Sequence, residues 1–165
     1  MRYFLLLLLL SLAVILSGCY SFKGISIDPN TNTFYVAQFD NSAPNAVPTL
    51  PITYTNLLIQ KIQNESRLKQ DEEDPDIEFR GTLVGYRVTS EAPTSDDQIA
   101  FNRLTIQVLI EYINHQNEEK NWSSRFNHFN DFPADVNLIE VQDELIDNIG
   151  DQLVEDIFNK AFTDW

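Results

Sequence analysis

The chain has little of the chemistry on which most active sites depend. Its 165 residues include one cysteine, Cys19, and two histidines, His115 and His128. A single thiol excludes an intramolecular disulfide, and without a cysteine pair or closely spaced histidines no transition-metal site is predicted. The sequence contains no Gly-x-Ser-x-Gly motif and no glycine-rich phosphate-binding loop. We therefore predict neither an enzyme nor a cofactor-binding protein.

Positive charge is also scarce. The sequence holds 11 Lys and Arg residues against 25 Asp and Glu, a formal net charge of −14. A field of this sign repels phosphate backbones and anionic lipid surfaces, so nucleic acid is excluded as an electrostatic partner. The acidic run at residues 71–74 lacks the glycine and the spaced ligands of a calcium loop, and no metal is predicted there.

One long apolar run is present, and it lies at the amino terminus. It covers residues 3–16, follows Arg2, and is shorter than the ~20 apolar residues that a membrane-spanning helix needs. Leu16, two small residues and Cys19 close it, in the order of a bacterial lipobox. The small residues give a peptidase access to the bond before Cys19, whose thiol takes a diacylglycerol. An ordinary signal peptide and an uncleaved helix are the alternatives.

Cleavage before Cys19 leaves a mature chain of the size typical of one domain. This chain carries 10 basic and 25 acidic side chains, a formal charge of −15, because the removed segment holds Arg2 and no acid. We assign residues 1–18 to a signal peptide, 19–33 to a lipidated tether and 34–165 to a single domain. Tyr20, not aspartate, follows Cys19, so we expect the lipid anchor to hold the protein at the periplasmic face of the outer membrane.

The pattern of apolar residues predicts the element order β-α-β-β-β-α. Period-two alternation and strand-forming residues predict four strands, and helical spacing predicts two helices. The strands cover residues 34–39, 77–88 with a bulge beside Gly85, 104–112 and 122–132, and the helices cover residues 50–66 and 137–161. On the second helix, one buried stripe is predicted at Val141, Leu145, Ile149, Leu153 and Ile157, and Asn137 with Glu140 has the form of a capping box. We expect a two-layer α+β sandwich, a mixed four-stranded sheet with both helices on one face.

Four arginines are the candidate ligand-binding residues. Arg80, Arg87, Arg103 and Arg125 all fall in or beside predicted strands of a chain with few cations. Guanidinium forks bind phosphates and carboxylates with two parallel hydrogen bonds. The alternative interpretation is that they form salt bridges with acidic residues on a solvated face of the sheet.

Several short segments follow one another in an order that is known from a family. They are Gly18-Cys19-Tyr20-Ser21-Phe22, Phe34-x-Val36, Gly85-Tyr86-x-Val88, Asn102-Arg103-Leu104-Thr105-Ile106 and Asp151-Gln152-Leu153-Val154-Glu155-Asp156-Ile157-Phe158. In these segments, which span nearly the whole mature chain, the sequence resembles the short LptE-like lipoproteins. The resemblance implies a fold of two helices on a four-stranded sheet, in agreement with the element order.

The resemblance also implies a function. Members of this family are lipoprotein partners of LptD, an outer-membrane β-barrel that delivers lipopolysaccharide to the cell surface. The family protein plugs the barrel, is needed for its assembly and is implied to contact lipopolysaccharide. The alternative function is that of a free periplasmic lipoprotein that binds a small or lipidic ligand in a pocket between the helices and the sheet.

The lipid anchor gives the first testable prediction. Cys19→Ala should abolish incorporation of a fatty-acid analogue and leave the signal peptide uncleaved, because the chain has no other thiol to acylate. Metabolic labelling followed by gel electrophoresis measures both effects, with Ser21→Ala as the matched control. Undiminished label in Cys19→Ala would contradict the lipobox interpretation.

Overall fold

The computed structural model describes residues 26–91 and 100–163. In chain order the elements are β1 (Thr33–Val36), β2 (Asp40–Asn41), α1 (Leu50–Glu65), β3 (Lys69–Gln70), β4 (Ile77–Glu91), β5 (Phe101–Asn114), a short 3-10 helix (Glu118–Lys120), β6 (Trp122–Pro133) and α2 (Leu138–Phe162). The strands form one mixed sheet in the order β3-β1-β4-β5-β6, and β2 also pairs with β4. The predicted α+β class is confirmed, whereas the predicted count of four strands is wrong by two.

The additional strands arise at the β1 side of the sheet. The predicted first strand, residues 34–39, is interrupted between β1 and β2, because the chain advances four residues from Val36 to Asp40 while β4 advances only three. Phe39 lies in this interruption, and its ring covers Gly81, where a Cβ atom would lie 2.4 Å from the ring. β3 is a two-residue strand parallel to β1, too short for any sequence pattern to reveal.

The long antiparallel pair of β4 and β5 contains the predicted bulge. Leu83 is opposite Val108 and Gly85 is opposite Gln107, which leaves Val84 as the extra residue. The bulge reverses the alternation, so the helix-facing positions continue at Tyr86 instead of Gly85. Both strands are longer than predicted, since their polar ends also pair, out to Glu91 opposite Phe101. Most of the predicted loop at residues 90–98 lies outside the described residues.

The core lies between the sheet and the two helices. On α2, four of the five residues of the predicted stripe are buried, with at most 5% of each residue exposed, whereas Val141 is only partly buried. The inward residues of β5 are fully buried. The buried residues are Leu145, Ile149, Leu153 and Ile157 on the helix and Leu104, Ile106, Val108 and Ile110 on the strand. The side chain of Asn137 caps α2 by accepting a hydrogen bond from the amide of Ile139 at 3.1 Å, one residue before the Glu140 amide that a capping box would use.

The two helices approach each other closely. At Gly150 of α2, a Cβ atom would lie 2.7 Å from Cδ1 of Leu57 on α1. Beside it, the buried hydroxyl of Tyr54 donates a hydrogen bond to the backbone oxygen of Ile146 at 3.1 Å. Glycine at position 150 therefore permits this close approach, because a Cβ atom there would require the side chains of Leu57 and Tyr54 to shift.

The described part of the predicted tether lies against the domain. The amide of Ser26 donates to the backbone oxygen of Phe162 at 2.6 Å, and Ile27 packs against the core. Further along, the carboxylate of Asp76 accepts from the amides of Asn32 at 2.6 Å and Thr33 at 3.0 Å. These bonds hold residues 26–33 to the ends of α2 and β4.

Burial of the α2 stripe gives the second prediction. Leu153 is 1% exposed, so Leu153→Ala should lower the free energy of unfolding by about 2–5 kcal/mol, through lost transfer energy and the cavity left behind. Gln152→Ala, at the exposed neighbouring position, is the matched control. Urea unfolding measures both, and a loss below about 0.5 kcal/mol for Leu153→Ala would place the stripe on the surface.

The Asp76 carboxylate gives the third prediction. Its hydrogen bonds from the amides of Asn32 and then Thr33 hold the pKa of Asp76 below the ordinary aspartate value. A lowered folded-state pKa stabilises the protein above the unfolded pKa, and the stabilisation is lost as the pH falls through the folded pKa. In Asp76→Asn, unfolding stability should therefore depend less on pH below about pH 4 than in the wild type.

The matched control for Asp76 is Asp74→Asn. The Asp74 side chain is exposed and the described residues show no hydrogen bond to its carboxylate, so this variant should keep the wild-type acid dependence. Urea midpoints measured across the acid range compare the three proteins. An Asp76→Asn curve parallel to the wild-type curve would contradict the assigned role of the carboxylate.

Candidate functional site

The sheet has a surface that no described helix covers, which we name the open face. It is formed by the residues of β4, β5 and β6 that alternate with the buried, helix-facing ones. Residues directly opposite each other in a sheet share a face, so the strand register identifies its members. All four candidate arginines lie on the open face: Arg80 opposite Glu111, Arg87 opposite Thr105, Arg125 opposite Leu109, and Arg103 between Thr89 and Asp131.

Arg80 is neutralised by a neighbour on its own strand. Its guanidinium donates to both carboxylate oxygens of Glu78, from Nε at 2.7 Å and from Nη2 at 3.2 Å. His115 Nε2 lies 3.3 Å from the same carboxylate, of which 11% is exposed. The Glu78 carboxylate accordingly raises the pKa of Arg80. A ligand carboxylate or phosphate would have to displace Glu78 to reach this guanidinium.

Arg103 is held more rigidly, by an ion pair and a ring. Its Nε and Nη2 atoms donate to the two carboxylate oxygens of Asp131 at 2.7 and 2.9 Å, which raises the pKa of Arg103. The guanidinium carbon also lies 3.8 Å from the centroid of the Phe129 ring, a cation–π contact. Phe129 is 51% exposed, so the pair presents an aromatic surface to solvent.

Arg87 and Arg125 complete the set and differ from the other two. Both side chains are exposed, and within residues 26–91 and 100–163 neither forms an ion pair. The structure thus divides the candidates: the salt-bridge interpretation holds for Arg80 and Arg103, while Arg87 and Arg125 keep free guanidinium groups. The sequence analysis did not identify the exposed Phe129. Its signal is the strand alternation, since Phe129 lies three residues before buried Phe132 and therefore on the opposite face of β6.

The space between the helices and the sheet is filled. The largest side chains there, Tyr54, Phe34, Phe79 and Phe158, are at most 2% exposed and pack with the aliphatic core. Edge-on contacts of aromatic rings continue this packing, with centroids 4.9 Å apart for Phe158 and Phe162. The described side chains between the two layers are therefore closely packed against one another.

A cavity of about 430 Å³ lies instead at one end of the sandwich, and we name it the N-terminal cavity. It is formed by residues 26–31, the adjoining ends of β5 and β6, and the end of α2. Its charged and aromatic lining residues are Asp28, Tyr112, Lys120, Trp122, Lys160 and Phe162. No local sequence pattern indicates this cavity, because it assembles from segments that lie far apart in the chain.

Two further features bear on anchoring and metal binding. Cys19, the predicted lipid attachment site, lies outside the described residues. Neither described helix combines the length and the apolar character needed to cross a membrane.

Within the described parts of the chain, no three His, Cys, Asp or Glu side chains converge as metal ligands would. In the acidic loop, Asp71 instead accepts hydrogen bonds from the amides of Glu73 and Asp74, which is ordinary turn chemistry.

Solved structures with a similar arrangement of elements define the class of fold. A minor lipoprotein from Acinetobacter baumannii superposes with a TM-score of 0.50 at 8% identity, covering 78% of this chain and 91% of that one. The PelC dodecamer subunit from Paraburkholderia phytofirmans superposes with a TM-score of 0.52 at 9% identity, covering 84% and 93%. At such identities the likeness establishes the two-layer α+β fold alone.

The family model identifies the chain more specifically. Residues 31–161, nearly the whole described domain, match the LptE model, described as lipopolysaccharide assembly. The chain belongs to the LptE family, which confirms the family resemblance of the sequence. No curated protein sequence matches this chain.

Proposed function

We propose that the protein is a lipid-anchored, non-enzymatic subunit of the lipopolysaccharide export machine. It is held at the periplasmic face of the outer membrane through Cys19, and it acts there as plug and assembly partner of the β-barrel LptD. The observation that carries this proposal is the family match over residues 31–161. A match of this length supports transfer of the whole domain's role, not of a single motif.

The open face supports a docking role in a water-lined space. Its side chains are mixed, with the exposed Arg87 and Arg125, the paired Arg103 and Asp131, and amides such as Asn127. The lumen of an outer-membrane barrel is polar, so a plug must present a surface that hydrogen-bonds there without a continuous apolar patch. Phe129, backed by Arg103, supplies one aromatic contact point within this polar surface.

The interior argues against the alternative of a free lipid-carrying protein. A lipid carrier needs an apolar cavity of several hundred Å³ that encloses most of its ligand. Here the interlayer residues of the described domain fill that space, and the N-terminal cavity is lined by charged side chains. Arg87 and Arg125 remain the groups on the open face with which the protein would contact lipopolysaccharide phosphates.

Depletion in the cell gives the fourth prediction. Without the plug, correctly assembled LptD should decrease, and phospholipid patches should replace missing lipopolysaccharide at the cell surface. Cells should then admit large hydrophobic antibiotics that the intact outer membrane excludes. Folded barrel is measured by semi-native electrophoresis, and permeability by the minimal inhibitory concentration.

Complementation provides the control for this experiment. The wild-type gene should restore both readouts, and a small hydrophilic antibiotic that enters through porins should be equally active in all strains. Normal amounts of folded barrel together with an intact permeability barrier after complete depletion would contradict the proposed function.

A further inference from the structure

The N-terminal cavity is lined by charged side chains of both signs. The mature chain carries only 10 basic side chains, yet two of them, Lys120 and Lys160, line this one cavity. Asp28 lines it as well, with Oδ2 3.5 Å from Nζ of Lys120. The cavity therefore presents two ammonium groups and one carboxylate within about 430 Å³.

An aromatic wall completes the lining. Trp122 stacks on Tyr112 with ring centroids 5.4 Å apart and an interplanar angle of 10°, which fixes the orientation of the indole. Nζ of Lys160 lies 5.3 Å from the centroid of the Trp122 ring. The indole thus already binds one ammonium group through its π-face, the type of contact that also recognises ammonium ligands.

The cavity lies a few residues along the chain from the predicted membrane anchor. Ser26, at its rim, is held to Phe162 by a backbone hydrogen bond, and Cys19 precedes Ser26 by seven residues. A fully extended chain spans at most about 3.6 Å per residue, so the cavity is within roughly 25 Å of the lipidated cysteine. With the proposed lipid anchor in place, this length allows the lining residues to reach the headgroup region of the bilayer.

From this lining we infer that the N-terminal cavity binds a zwitterionic phosphoethanolamine headgroup. Lys120 and Lys160 bind the phosphate as point charges, and Asp28 binds the ammonium group in place of its present partner Lys120. A zwitterion also avoids the repulsion that a formal charge of −15 imposes on a simple anion.

Trp122 is the built-in probe for this site. The chain has two tryptophans, Trp122 and Trp165, so Trp165→Phe leaves only the cavity residue to report. The lipidated mature protein in non-ionic detergent is titrated with soluble glycerophosphoethanolamine, with glycerophosphocholine and glycerol phosphate as competitors. We expect a saturable change in Trp122 emission, strongest for the ethanolamine compound.

Matched variants test the assigned roles. Lys160→Met and Lys120→Met keep the length of the side chain and should each weaken binding about tenfold or more, the loss of one ionic contact. Lys69→Met, on the exposed β3 strand outside the cavity, should bind like the wild type. Asp28→Asn should abolish the preference for glycerophosphoethanolamine over glycerol phosphate.

Two further titrations distinguish the sources of the headgroup. One uses phosphatidylcholine vesicles with and without phosphatidylethanolamine, and the other uses lipopolysaccharide with and without phosphoethanolamine groups. A response that requires phosphoethanolamine in either titration supports the site and identifies the source of the headgroup. The absence of such a response in both titrations contradicts the inference.

The inference is overturned by an unsaturable emission change or by unchanged affinity in both lysine variants. Either result, with the barrel still recovered alongside the protein, would remove the headgroup site and leave the proposed function standing. Headgroup binding by a protein with which no barrel is recovered would support the headgroup site and contradict the proposed function.

Discussion

The register of β4 against β5 is the constraint on which the rest of the structure depends. A shift of one residue moves every side chain of a strand to the opposite face. The bulge at Val84 makes such a shift once, so that Leu83 before it and Tyr86 after it both face the helices. The bulge therefore decides which side chains in the second half of β4 face the helices and which lie on the open face. On the other side of β5, β6 continues the register without interruption.

The same alternation determines where ligands and partners can bind. The core is filled by buried side chains such as Phe34, Phe79 and Phe158. Ligands and partners can therefore bind only at the surfaces and the ends of the sandwich. The open face carries the arginines, of which Arg87 and Arg125 keep free guanidinium groups within the described chain. The N-terminal cavity lies at the end of the sandwich where the anchored segment enters. Partner docking and headgroup binding would therefore use separate parts of the molecule.

Much of this architecture could be predicted because its signals are local. The alternation on β5, the stripe on α2 and the phase change beside Gly85 each lie within a few neighbouring residues, and each is found as predicted. The interruption at Phe39 depends on a ring lying against Gly81, a contact between distant residues that no local pattern encodes. The N-terminal cavity was missed for the same reason, since Asp28, Trp122 and Lys160 meet only in the folded chain.

The most direct test of the account is the identity of the protein that accompanies this chain from the membrane. Affinity purification of the tagged, lipidated protein in a mild detergent, followed by mass spectrometry and determination of the molar ratio, provides the measurement. The account predicts a large outer-membrane β-barrel, LptD, at one copy per copy of this protein. Recovery of the protein alone, with a bound lipid and no barrel at any detergent concentration that preserves its fold, would contradict it.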